Sequence, residues 1–120
     1  MQQAEDFRDE TDALAAILQP LSDAGFDQPT LFKGWTIDDV IGHLHIFNVA
    51  AAKSLESDAA FAEFFAPIGQ GMAKGVSLRE LQYPWLAGLR GRALMEEWVR
   101  TAHATADAFA AADPKKRLKW

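Results

Sequence analysis

"KGWTIDDVIGHLHIF", Lys33 to Phe47, is the stretch that decides the fold. Thr36 has the side chain of a helix N-cap, and Asp39 follows three residues later, where a carboxylate can reach back to the cap's own N–H. Trp35 and Val40 occupy the positions of a hydrophobic staple, and Asp38 and Asp39 suit the positive end of a helix dipole. The apolar spacing predicts a helix from Ile37 to about Leu55, with its apolar face centred on Val40, Leu44, Phe47 and Ala51. At roughly 100° per residue, His43 falls on the flank of that face. His45 points nearly the opposite way, beside Ala52. Residues two apart on a helix diverge, so the two imidazoles cannot chelate one ion.

Upstream, Phe7, Leu14, Ile17, Leu18 and Leu21 recur at helical spacing and predict a helix over about residues 3–19. Pro20 and the turn chemistry of "SDAGFDQPT" close it. Downstream, Ser57 caps a short helix, "DAAFAEFFAP", which Pro67 is expected to halt, leaving "IGQGMAKGV" as a flexible connection. Its Gly69, Gly71 and Gly75 fit neither the dinucleotide nor the P-loop spacing, and no strand precedes them. "SLRE" at Ser77 is a second capping box, opening a short helix that Pro84 bends or ends. A last helix runs from about Gly91 to before Pro114, with Leu94, Trp98, Thr101, Thr105, Ala108 and Phe109 as its inward stripe. No segment alternates as a strand does, so the fold class is all-α.

The 120 residues suffice for one domain, and a hydrophobic fraction of 49% with eight Phe and four Trp supplies its core. The net charge of −5 argues against a nucleic-acid surface. The one basic cluster, Lys115, Lys116, Arg117 and Lys119, suits the negative end of the last helix. Without cysteine there is no disulfide, thiolate metal site or cysteine nucleophile. The acidic N-terminus is no signal peptide, and no apolar run approaches a membrane span. These features lead us to expect a cytoplasmic chain with neither nucleic-acid nor membrane partner.

Two clusters bear on chemistry. His43 reads either as a core-edge histidine bonded to a neighbouring group or as a metal ligand, with Asp39 one turn earlier as its orienting partner in both cases. Glu96, His103 and Asp107 share a face of the last helix opposite Leu94 and Thr105, and read as a solvated strip of charge. Ile46 and Val49, on the outer side of the second helix, form a candidate partner surface. G-x-S-x-G and H-E-x-x-H are both absent.

"FDQPTLFKGWTIDDVIGHLHIFNVAAAKSL" resembles the DinB-like four-helix bundles, in particular the branch of the mycothiol-dependent maleylpyruvate isomerase N-terminal domain. Its most specific part is "GWTIDDVIGHL". "GRALMEEWVRTAHATADAFAAADPKKRLKW", with Trp98 at mid-helix, is similar to that branch's third helix. The resemblance implies an up-down helical bundle over residues 1–120, with three main helices and short connecting ones. It implies that His43 is a ligand of a divalent metal, zinc or nickel-like, and that the chemistry is that of thiol-dependent isomerases or transferases using a small thiol. In the family the other two ligands, a His or Glu and a His four residues on, belong to a fourth helix that would follow "RLKW". We therefore expect a C-terminally truncated bundle with an incomplete ligand set, whose uncovered groove is filled by a second copy in a homodimer. A non-catalytic module for self-association or partner binding is the alternative.

Overall fold

A computed structural model of the chain describes residues 2–30 and 34–111. Among them are five helices: α1 (Gln2–Leu18), α2 (Ile37–Glu56), α3 (Asp58–Ala73), α4 (Leu78–Leu86) and α5 (Gly91–Ala111), with a 3-10 turn at Asp23–Asp27. No named strand occurs among the described residues. An isolated bridge pairs Pro29 with Thr36 and draws together the loop before α2. The all-α class and the helical bundle are as the sequence reads. The basic cluster at 115–119 lies outside the described residues, as does Lys33.

α2 begins as its sequence dictates. Thr36 Oγ1 accepts from Asp39 N at 3.1 Å, and Asp39 Oδ2 accepts from Thr36 N at 3.0 Å, so both arms of the capping box form. α5 lies against α2 on one side and α1 on the other, while α3 and α4 pack on α2 and on each other. Leu18, Phe26, Ile41, Leu94, Met95 and Trp98 make the core, with Ile37, Leu44 and Leu86 packed at its margin. Phe26 is fully buried, so the turn segment after α1 also pins itself into the core.

Burial by α5 on one side and α3–α4 on the other changes the expected faces of α2. The core side is Ile37, Ile41 and Leu44; Phe47, placed at the centre of the apolar face, is 42% exposed. Ile46, expected on the outside, is buried under α3, and Val49 is half-buried. In α1, Leu18 is buried but Ile17 is 72% exposed. In α5 the buried stripe is Leu94, Met95, Trp98, Ala102, Thr105 and Ala106; Ala108 is exposed and Thr101 and Phe109 are half-buried.

The largest departure is α3. Ser57 caps it as expected, its Oγ accepting from Ala60 N at 2.9 Å, but the helix passes through Pro67 and takes in most of the segment read as a flexible connection. Proline removes one N–H and crowds the carbonyl four residues back. Here that carbonyl belongs to exposed Glu63, and water can satisfy it. The second half is held by packing, since Ile68 is buried against the bundle. Gly71 serves contact rather than flexibility: a Cβ at that position would run into the Leu81 side chain of α4, which would have to shift to make room. Pro84 likewise does not end its helix, since α4 continues to Leu86.

The start of α5 has no cap of its own sequence. Gly91, at φ +63°, donates its N–H to Asp38 Oδ1 at 2.6 Å, and Arg92 N donates to Asp23 Oδ1 at 3.0 Å. Two carboxylates remote in sequence thus satisfy N–H groups that the first helical turn leaves open. Burial pushes the Asp38 carboxyl up, against the pull of the Gly91 N–H and the Arg90 guanidinium.

Candidate functional site around His43

His43 stands half-buried on the side of α2 that faces α4. Its imidazole lies between two aromatic rings, Phe47 at 4.4 Å and Trp35 at 5.6 Å between centroids, both edge-on. Phe47 is one helical turn onward, and Trp35 precedes the cap, so the same local sequence that starts the helix also builds the walls of the site. The ring is fixed in its plane by Gln82 of α4, whose Oε1 is 2.9 Å from His43 Nδ1.

The hydrogen bonds around Gln82 determine which nitrogen is free. Gln82 is fully buried, and its Nε2 lies 3.5 Å from the main-chain oxygen of Asp39, a group that can only accept. The NH2 of the amide therefore faces Asp39 and its oxygen faces His43, which obliges Nδ1 to donate. In the neutral ring Nε2 then carries the lone pair, and it has no hydrogen-bond partner among the described residues. That is the tautomer a metal-ligating histidine adopts when its other nitrogen donates to an oxygen.

Asp39 is not the partner of His43 as the sequence reading had it. Its Oδ2 serves the capping box and receives Arg79 at 2.7 Å, and its Oδ1 accepts from the Tyr83 hydroxyl at 2.7 Å. Burial alone would push this carboxyl up; the hydrogen bonds from Tyr83 and Thr36 and the charge of Arg79 prevail and hold it below the usual carboxylate range. Tyr83 is pushed up in turn, by burial and by the bond it donates to Asp39. A cavity of about 480 Å³ opens beside this group, bordered by the charged and polar side chains of Asp38, Asp39, Arg79, Tyr83 and Arg90 and by Leu86 and Leu89. Two ion pairs stand at its border, Asp39 with Arg79 at 2.7 Å and Asp27 with Arg90 at 2.6 Å, and Asp38 is the third carboxylate there, its own Oδ2 4.0 Å from Arg90. The role of the Asp39–Tyr83–Arg79 group is to lock α4 onto the first turn of α2, and through α4 to place Gln82.

His45 does not face away from the bundle. It is 5% exposed, its ring 5.5 Å from that of Trp85, and its Nδ1 is buried without a hydrogen-bond partner. Burial holds its pKa down, opposed by Glu97. Glu96 and Asp107 are exposed and His103 half-buried, so the strip of charge meets solvent as read, and two of its members also pair with α1. His103 Nε2 lies 2.5 Å from Asp12 Oδ1, and Arg8 reaches Asp107 at 2.6 Å, so the two pairs join α1 to α5.

The sequence reading missed Gln82, although "SLRELQYPWL" put it on a helix. A glutamine carries no signal of its own, and its meeting with His43 depends on how α4 folds back. Among the described residues no group of three or more His, Asp or Glu stands where it could hold a metal ion. A catalytic zinc needs three protein ligands and an open position. His43 fits one of those places, and the described residues do not make up the set.

Fold and site together define a helical bundle whose second helix holds one imidazole in a single tautomer between two rings. The family of the mycothiol maleylpyruvate isomerase N-terminal domain matches residues 7–120, nearly the whole chain, and the protein belongs to that DinB-like family. No curated protein and no solved structure matches it. No helix among the described residues is long and apolar enough to cross a membrane.

Proposed function

We propose that this domain presents His43 Nε2 as one ligand of a divalent metal centre, zinc or nickel-like, completed by groups from outside the described residues. A segment following Trp120 or a second subunit is the source of those groups in this reading. The observation that supports it is the Gln82 amide, which leaves Nε2 with an unused lone pair at the end of a rigidly held ring. The family name couples an isomerisation of maleylpyruvate to mycothiol. By that kinship the reaction class is a thiol-dependent isomerisation or transfer, with a small thiol as co-reactant. The part of this chain's own residues is positional. Trp35 and Phe47 restrict the ring, Gln82 sets its tautomer, and the Asp39–Tyr83–Arg79 group fixes α4.

The test is metal analysis of the full chain by plasma mass spectrometry, after equilibration with zinc or nickel and dialysis. Metal at a fixed stoichiometry, lost in His43→Ala, supports the reading. Absence of metal in the wild-type chain, with His43→Ala merely less stable, overturns it.

A second reading, a self-associating module without catalysis, is favoured by a groove of about 220 Å³ between α1 and α2. Phe7, Leu14, Leu44 and Trp98 line it, and among the described residues no helix covers it. In this reading a second copy lies there and the chain is a homodimer. Light scattering should then give a dimeric mass that His43→Ala leaves unchanged and Leu44→Gln reduces to that of a monomer.

A further inference from the structure

The large exposed apolar side chains are not scattered. Of the five, Ile17, Phe47, Phe65, Met72 and Tyr83, three border one concavity. Phe47 of α2 and Phe65 and Met72 of α3 surround a cavity of about 360 Å³, in which Ile46, Ala50 and Ile68 are buried lining residues. Phe61, Phe64 and Leu78 complete the lining, so no charged or hydrogen-bonding side chain borders it. The walls are braced: Phe61 and Phe65 stack with planes 7° apart, and Phe64 packs edge-on against Trp85 of α4. The volume lies within the range of small-molecule pockets, roughly 300–1,000 Å³.

We propose that the α2–α3 cavity is a binding site for a small uncharged molecule with an aromatic or short alkyl body. The shape favours such an occupant over a second copy of the chain. A flat helical face laid across the rim would seal unfilled volume beneath it, and unfilled apolar volume is destabilising. A compact guest fills that volume and covers the three exposed side chains together. The lining offers aromatic faces and edges to a flat guest, and it rejects charge because no partner would compensate the lost hydration. This inference does not rest on a metal at His43. Phe47 is shared by both places, since its ring touches the imidazole and borders the cavity.

The experiment is a fluorescence titration of the full chain with N-phenyl-1-naphthylamine, an uncharged aromatic probe. The expected result is saturable binding of one probe per chain, with an affinity independent of protein concentration. Ala50→Phe, which places a ring inside the cavity, should weaken binding by about tenfold or more, worth at least ~1.4 kcal/mol. Phe65→Ser removes an exposed wall residue and leaves the buried core intact, so it provides the test should Ala50→Phe fail to fold. It should weaken binding several-fold, with the far-UV circular dichroism unchanged. Non-saturable enhancement, or unaltered affinity in the folded variants, overturns the proposal. So does loss of the probe as rising protein concentration doubles the mass seen by light scattering, because a second copy would then be the occupant.

Discussion

His43 and His45 sit two residues apart on α2, and their surroundings are opposites. His45 is the more buried, packed beside Trp85 with its Nδ1 unpaired, and burial holds its pKa down. His43 is the more open, yet it is the one oriented by a hydrogen bond and held between rings. Depth in the core and readiness to bind a ligand are therefore different properties. The first follows from which helices cover a face. The second needs a partner on one nitrogen and access to the other.

Variants at four positions would break or sharpen this contrast, and the largest effect is expected at Asp39. Asp39→Ala strips an acceptor from the Thr36 N–H and the Tyr83 hydroxyl. It should cost about 2–3 kcal/mol in urea unfolding, as charged hydrogen bonds do when a partner is left unpaired. The Asp39 pKa is depressed in the folded chain, so its contribution is complete above the ordinary carboxylate range. That contribution is lost as pH falls through the folded value. The acid-side fall in stability should accordingly flatten in Asp39→Asn.

His45 tests the other half of the comparison. Its folded pKa lies below the unfolded one, so the unfolded chain binds the extra proton and stability drops as pH falls below about 6.5. His45→Leu should leave stability at pH 7.5 within about 1 kcal/mol of wild type, since a buried unpaired polar atom is exchanged for an apolar group of similar size. The same variant should lose much of the decline between pH 7.5 and 5. An unchanged pH profile would show that His45 gains water or a partner on protonation.

Gln82→Leu addresses the orientation of His43 directly. It should reduce metal affinity by about tenfold or more, the usual cost of losing a residue that orients a ligand. Nitrogen NMR should show the ring changing from the Nδ1–H form to a mixture of tautomers. His43→Ala should cost less than Asp39→Ala, about 1–2 kcal/mol, because it leaves one buried acceptor, Gln82 Oε1, without its donor, while the ring itself is half-exposed. A loss as large as that of Asp39→Ala would mark His43 as a core residue and undo the contrast.

Several features were legible in the chain because they are local. Thr36 and Asp39 are three residues apart, so a capping box follows from the sequence alone, and it forms with both bonds in place. The caps at Ser57 and Ser77 are local too, their hydroxyls accepting from the Ala60 and Glu80 N–H groups, but the box read at "SLRE" forms by this one arm alone. Pro67 misled because proline has a strong local penalty, and the compensation, Ile68 buried and Gly71 set against Leu81, lies in tertiary packing. The misplacement of His45 and Ile46 has one cause. A helical wheel assumes one buried face, and α2 is covered by α5 on one side and by α3 and α4 on another.

The sequence by itself determined that the chain is helical, where its second helix starts, and that His43 and His45 point apart, since caps and the 3.6-residue period act over a few residues. Only the tertiary structure decided which histidine is oriented, because Gln82 lies 39 residues from His43 and meets it through the fold of α4. It also decided where apolar surface stays open. Burial is a property of neighbours, and the neighbours of Phe47, Phe65 and Met72 are chosen by how α3 lies on α2.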